Sequence, residues 1–345
     1  MGTIIAWIVI LGVLVAIHEL GHFFVAKGFG MRVDEYSIGF GPSLWKRRWG
    51  ETLYALRVVP LGGYVRLAGM LQNSEKNPRD FPNRPLWQRF LVILAGPVMN
   101  LVLAAVLYAL AVGAVGGLPV PTTTVAQTMP GYPAAQAGIR PGDRIVSVDH
   151  RPITSWTQLV RSIDIHKSQP MTLGFISAGR LHQVVVHTRY DVKNHRRLVG
   201  ISPRSRLKRL GPLTAVSYGV RTTIQFTGAW FMAIVHMIDG KRSLQVEGPV
   251  GIAVAVGAAL RLGMYYLFLL SAALSLNLGL FNLIPFPVLD GSRLFFLGLE
   301  GVRRKPLDPD KESLIYVVGM AILLLFVIIV SFHDVATLIG RRLPS

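Results

Sequence analysis

The chain has 345 residues, 51% of them hydrophobic and 16% charged, with 36 Lys+Arg against 18 Asp+Glu and a net charge of +18. Soluble domains carry roughly a quarter charged residues, so a mean hydropathy of +0.46, with the apolar residues gathered in blocks, reads as a membrane protein of about two domains. The basic residues flank those blocks or sit in a long middle segment without a nucleic-acid-binding signature, which argues for membrane orientation and anionic headgroups and against a nucleic-acid partner; with no Cys, disulfides and thiolate ligands are excluded.

The first apolar run is Ile4 to Ala26, 23 residues, enough to span a hydrocarbon core of ~30 Å at 1.5 Å per residue. A signal peptide would need a basic start and a small-residue cleavage site. The chain instead begins MGTIIAW and the run ends in charged residues, so a span is expected. A second span is expected over Phe90–Gly116, a third over Met264–Ile284 and a fourth over Leu314–Ser331. The loop Lys27–Arg89 holds 11 Lys+Arg, and the loop before span four adds Arg293, Arg303, Arg304, Lys305 and Lys311. The C-terminal tail has only Arg341 and Arg342. Positive charge in short loops marks the cytoplasmic side. Both termini and the middle segment are therefore expected outside, the middle segment despite its own basic residues, because long domains translocate largely regardless of charge.

That segment divides. From Pro119 to Ser202, β-branched runs alternate with Gly/Pro turns around one helical stretch, Trp156–Ile165, as expected of a small strand-rich domain. From Leu207 to Arg261 the pattern is amphipathic, broken by Arg221 and Gln225, and fits an interfacial helix better than a fifth span. A fifth span would move the C-terminus to the other side. The expected division is residues 1–116 (two spans and a hairpin region), 117–205 (the strand-rich domain), 206–262 (the amphipathic segment) and 263–345 (the last two spans).

Chemistry concentrates in span one, at His18-Glu19-Leu20-Gly21-His22. On a helix, residues i and i+4 share a face, so both imidazoles can reach one metal ion, with Glu19 placed to act as a base on water. Ionisable residues inside a span are costly and mark function. The plainer alternatives are a structural hydrogen-bonded cluster or a proton pathway. His18 lies 14 residues after Ile4, or ~21 Å along the helix, which puts the site in the cytoplasmic third of the bilayer.

A catalytic zinc takes three protein ligands, and span three offers a third in Asn282-Leu-Ile-Pro285-Phe-Pro287-Val-Leu-Asp290-Gly291. Asp290 follows two helix-breaking prolines. Irregular backbone at membrane depth must be buried in protein or line a cavity, although a helix-end residue at the interface would read the same way. Asn282 is a candidate donor to a scissile carbonyl or its oxyanion, or simply a polar kink residue. GFGP and LGGY do not have the spacing of a phosphate cradle. In a hairpin such glycines permit φ > 0 and close backbone approach, leaving an edge strand to which an unwound substrate can add.

HELGH and FNLIPFPVLDG together resemble the site-2 protease family of intramembrane zinc proteases, above all its RseP-type bacterial branch. SIGFGPSLW (Ser37–Trp45) and VPLGGYVRLAGM (Val59–Met70) resemble that branch's membrane-associated β-hairpin region. AGPVMN (Ala95–Asn100) resembles its G-P-x-x-N, and GPVGIA (Gly248–Ala253) its motif before span three. GYPAAQAGIRPGDRIVSVD (Gly131–Asp149) resembles a PDZ domain.

The resemblance implies a polytopic α-helical membrane protein of four transmembrane helices, with a β-hairpin region and one inserted α+β PDZ domain. It implies Zn²⁺ on His18, His22 and Asp290, Glu19 as catalytic base and Asn282 as substrate-binding. It also implies single-pass membrane substrates cut in regulated intramembrane proteolysis, such as anti-sigma factors or remnant signal peptides, in a bacterial plasma membrane, with the PDZ domain outside. Ser292 stands where the family usually has a second Gly after the Asp-Gly, a departure that bears on the local loop conformation. The rival readings are a non-catalytic PDZ scaffold, disfavoured by Glu19, and an ion transporter, disfavoured by the lack of inverted repeats.

Overall fold

The computed structural model describes residues 2–70, 77–166, 169–191, 196–239, 248–305 and 308–340; Arg341 and Arg342, counted above for orientation, lie outside them. In chain order, α1 (Gly2–Gly28) leads to the strands β1 (Val33–Trp49) and β2 (Thr52–Leu67), and α2 (Leu86–Leu110) runs into a π-helical turn, Ala111–Val115. Then follow β3 (Leu118–Thr128), α3 (Pro133–Gln136), β4 (Arg144–Val148), β5 (Arg151–Pro152), α4 (Trp156–Ile165), β6 (Met171–Ser177), β7 (Arg180–Val186), β8 (Arg189–Asp191), β9 (Arg196–Leu198) and β10 (Ile201–Lys208). The remaining helices are α5 (Pro212–Ile238), α6 (Pro249–Leu262), α7 (Met264–Asn282), α8 (Asp290–Arg303) and α9 (Pro309–Gly340). The chain forms two compact units, Met1–Val115 with Leu210–Ser345, and Gly116–Arg209.

Among the described residues, four helices are long and apolar enough to cross a membrane: Gly2–Gly28, Leu86–Val115, Met264–Asn282 and Lys311–Thr337. These are the four expected. The third ends at Asn282 because Pro285 and Pro287 cannot continue the ladder. α5 is not among the four, yet it packs lengthwise on α2. Phe226 stacks on Tyr108 with centroids 6.0 Å apart, and Trp230 meets Phe281 of α7 edge-on at 5.6 Å.

α2 is the central helix of this unit, with α1, α5 and α7 packed around it. At one end a core of Phe23, Met31, Val33, Tyr36, Leu67, Val92, Ile93 and Leu297 joins α1, the hairpin, α2 and α8. Arg89 of α2 locks α8 in place through a bidentate pair to Glu300, 3.0 and 2.5 Å long and largely buried. Such a pair fixes orientation as well as proximity.

β1 and β2 both bend. Glu35–Ile38 of β1 lie between two stretches of β2, with Glu35 opposite Arg66 on one side and Leu53 on the other. The bends carry Gly39, Gly41 and Gly62 at φ +90°, +84° and +143°. A Cβ on Gly39 would stand 2.7 Å from the Val59 carbonyl oxygen, so the two bends cross in near contact. Buried Glu35 staples the centre, accepting from Arg57 Nη2 at 2.5 Å and from the Tyr64 hydroxyl at 2.8 Å, with Arg66 at 3.3 Å.

The second unit is an antiparallel sheet in the order β10-β3-β4-β6-β7, with β5 beside β4 and a separate β8-β9 pair. Its core is Val125, Ile139, Ile145, Val148, Leu159, Ile163, Leu173, Phe175 and Val199. Helix α4 starts at Ser155, whose hydroxyl accepts from the Gln158 amide. Capping of this kind satisfies one of the helix's orphan donors.

Burial alone would raise the Glu35 carboxyl. The hydrogen bonds from Arg57 and Tyr64 and the charges of Arg57 and Arg66 outweigh it and hold the group below the usual carboxylate range. A carboxyl lowered in the folded state stabilises above its unfolded pKa of ~4.3, and that stabilisation is lost as pH falls through the lower folded value. Hydrogen-exchange protection of β1 and β2 should therefore hold from pH 7 to 5 and decline in acid, while Glu35→Gln should be weaker throughout and flat with pH. An equally acid-sensitive Glu35→Gln hairpin would contradict this.

Candidate metal centre

α1 places His18 and His22 one turn apart on a single face, 6% and 7% exposed. Their ring centroids are 4.9 Å apart and nearly perpendicular. Asp290 arrives from the far end of the sequence. The Leu283–Leu289 turn folds back so tightly that a Cβ on Gly291 would lie 2.2 Å from the Ile284 carbonyl oxygen, which is why only glycine fits after Asp290. Val288 takes φ +82°, a conformation that β-branched residues seldom adopt and that stores strain where it occurs. Asp290 is the first residue of α8 and turns its carboxylate toward the histidines.

Three donor atoms meet there. His18 Nε2 is 2.9 Å from Asp290 Oδ2, His22 Nε2 is 3.2 Å from the same oxygen, and the two Nε2 atoms are 3.3 Å apart. This is the one such group of three found among the described residues. Tetrahedral ligands at zinc distances of about 2.0–2.1 Å stand about 3.3–3.4 Å from one another. The triangle is thus close to one face of a zinc tetrahedron, and two imidazoles with one carboxylate are donors that zinc accepts. The residues fit the ion.

The surroundings orient these donors. His22 Nδ1 donates to the Val92 carbonyl at 2.8 Å, so that nitrogen carries the proton and Nε2 keeps its lone pair for a metal. Pro97 leaves the Ile93 carbonyl, next to the Val92 carbonyl that His22 uses, without its helical donor. Beside His18 stands Asn100, fully buried, its Nδ2 3.2 Å from His18 Nδ1.

Gly96 lies directly against the Nε2 edges of the two histidines. A Cβ there would stand 2.3 Å from His22 Nε2 and 2.8 Å from His18 Nε2. Of AGPVMN the sequence offered only the resemblance. The signal for its role was its place in a span, where small residues allow helices to approach closely.

Glu19 is half-buried beside the centre, within the electrostatic reach of His18, His22 and Asp290. β2 covers it, for a Cβ on Gly63 would be 3.4 Å from Glu19 Cγ and 3.6 Å from Val15. Asn282 is the last residue of α7 and half-buried, and no group among the described residues bonds its amide. Ser292 is buried, is not a positive-φ position, and donates its hydroxyl to the Leu289 carbonyl at 2.8 Å, so the turn does not need a second glycine. Arg293 stacks over the Tyr316 ring at 5.7 Å and donates to Met70.

The family profile described as Peptidase family M50 matches residues 6–326. The chain is 28% identical to Regulator of sigma-W protease RasP of Bacillus subtilis, with 98% of this chain and 99% of that one aligned. It is 29% identical to Zinc metalloprotease RasP of Geobacillus kaustophilus, with 96% and 97% aligned. Among solved structures, the PDZ domain of the SdrC-like protein of Listeria monocytogenes aligns with 24% of this chain and 85% of its own, at 19% identity and a TM-score of 0.21.

Adding one methyl group at Gly96 should displace an imidazole. Gly96→Ala is expected to lower zinc content and affinity at least tenfold, and to cost about 1–3 kcal/mol through overpacking. Metal analysis of purified protein alongside a thermal melt checks it; full zinc occupancy in Gly96→Ala would show that α2 does not set the room available.

Proposed function

We propose, for a chain that belongs to peptidase family M50 and is an intramembrane zinc metalloprotease of the site-2 type, one assignment of roles: His18, His22 and Asp290 hold the metal and Glu19 is the catalytic base. The observation that carries it is the donor triangle with sides of 2.9, 3.2 and 3.3 Å, closed by residues up to 272 apart in sequence. When bound, zinc acidifies water and polarises a carbonyl. Glu19, beside the ligands but not one of them, accepts the proton from the attacking water and passes it to the leaving amine. Asn282, its side-chain amide without a partner among the described residues, binds the substrate backbone as the helix opens and donates to the developing oxyanion.

The substrate is a transmembrane segment of a single-pass membrane protein. A helical amide is shielded, so the segment has to unwind before its carbonyl can be attacked. Gly63–Leu67 pairs with β1 on one side and passes Glu19 on the other. That supports adding an unwound substrate strand there, with main-chain hydrogen bonds replacing the helical ones. One relative is named as a regulator of sigma-W protease, which supports regulated proteolysis of an anti-sigma factor, with remnant signal peptides as the other substrate of this kind.

The protein is a bacterial membrane protein with an inserted PDZ domain. Both termini and that domain are assigned to the extracytoplasmic side, where the domain hinders bulky, untrimmed substrates. The basic loops and the active site are assigned toward the cytoplasm.

Detergent-purified chain and a model single-pass helix test the chemistry. Glu19→Gln should lose at least a hundredfold in cleavage with zinc content unchanged, and Val65→Pro should cleave weakly with zinc retained. Equal cleavage by Glu19→Gln and the parent would remove Glu19 from the mechanism, and full cleavage by Val65→Pro would remove strand addition. The orientation has its own assay, because the chain has no Cys. A cysteine placed at exposed Arg180 should react with an impermeant maleimide applied outside intact spheroplasts, and reaction only after lysis would invert the topology.

A further inference from the structure

Asn100, the last residue of AGPVMN, has no part in the roles assigned so far. It is 0% exposed in the middle of α2. Its backbone and its side chain have separate partners. The backbone carbonyl accepts from the hydroxyl of Ser275, itself 0% exposed, at 2.8 Å, and so ties α2 to α7. The carboxamide instead faces His18, 3.2 Å from Nδ1, the ring nitrogen on the far side from the metal-facing Nε2. The α2–α7 contact therefore does not require this side chain.

Hydrogen bonding decides what the carboxamide does. A histidine that offers Nε2 to a metal carries its proton on Nδ1, and that proton needs an acceptor. For His22 the acceptor is the Val92 carbonyl. For His18 the atom facing Nδ1 is an amide nitrogen, while Asn100 Oδ1 is buried without a partner. A half-turn about the last side-chain bond exchanges the two nearly isosteric atoms. It gives the orphaned oxygen a donor and the Nδ1 proton an acceptor.

We propose that Asn100 is a positioning residue for the metal: its carboxamide oxygen accepts the Nδ1 proton of His18, fixing the tautomer and ring orientation that leave Nε2 free. The proposal rests on the reading of His18 as a metal ligand. It makes the two histidines alike, each held from behind by an oxygen of α2. Partners of this kind, when removed, typically lower metal affinity 10–100-fold.

The test uses the full chain in detergent with Glu19→Gln throughout, so that no readout depends on catalysis. Zinc affinity is measured by competition with a chromogenic chelator, and folding by a thermal melt. Asn100→Leu, of similar volume but without an acceptor, should bind zinc 10–100-fold more weakly. Asn100→Asp, which keeps an oxygen at that place, should bind zinc nearly as the parent does, without the 10–100-fold loss of Asn100→Leu. Ser275→Ala, which breaks the neighbouring α2–α7 bond without touching His18, should bind as the parent does.

Parent-like affinity in Asn100→Leu overturns the proposal, as does an equal loss in Ser275→Ala, which would make the effect one of packing. If Asn100→Leu does not fold, folded Asn100→Asp decides: near-parent affinity supports the proposal and a tenfold loss overturns it. A parent that binds no zinc fails differently, removing the metal centre and this proposal together.

Discussion

Donor side chains buried at membrane depth have already given up their water, and here three of them meet beside the one residue of α2 that has no side chain. Imidazole and carboxylate groups are expensive to bury singly. Together each offsets the cost of the others, provided the geometry leaves no lone pair idle. Gly96 supplies the space and Val92 supplies an acceptor for one ring. What looks like a catalytic motif on one helix is therefore the joint product of two.

The other elements divide the remaining requirements between them. The turn between α7 and α8 brings a carboxylate to the two histidines of α1, and the Arg89–Glu300 pair holds α8 at that place. The apolar core shared by α1, α2, α8 and the hairpin keeps the two ends of the sequence in one rigid neighbourhood. Over this lies β2, whose Gly63 lets backbone rest on Glu19 without a side chain between them. The same strand is fastened from within by Glu35 and its two arginines, so the cover is itself braced by charge.

The parts of this that were legible in the sequence are those set by local periodicity. Four apolar runs announced four spans because hydrocarbon thickness fixes their length. HELGH announced two imidazoles on one face because helical geometry fixes the i, i+4 spacing. Asp290 could be named from its motif but not placed, since no spacing rule reaches across 272 residues. Asn100 and Gly96 were visible only as letters of a motif, because a role that consists of leaving room or turning an oxygen inward has no periodic signature. The crossed bends of β1 and β2 were likewise hidden. Glycines signal permissive backbone, whereas which strand segments pair on which side is settled by tertiary contacts. Helix α5 shows a further limit: its polar residues marked it as unlike the spans, but nothing local said that it would lie along α2.

The π-helical turn at the end of α2 acquires a meaning from all this. Gly96 and Asn100 share a face of α2 and point at the pair four residues apart on α1, so the two helices are in phase at the centre, and α2 cannot rotate about its axis without losing both contacts. Further along, the chain must still leave in a direction suited to Leu210, whose amide bonds the Val112 carbonyl at 3.1 Å. A wider turn at Ala111–Val115 changes the angular advance per residue only beyond the last position that matters for chemistry. It works as a vernier: the exit is adjusted while the working face keeps its heading.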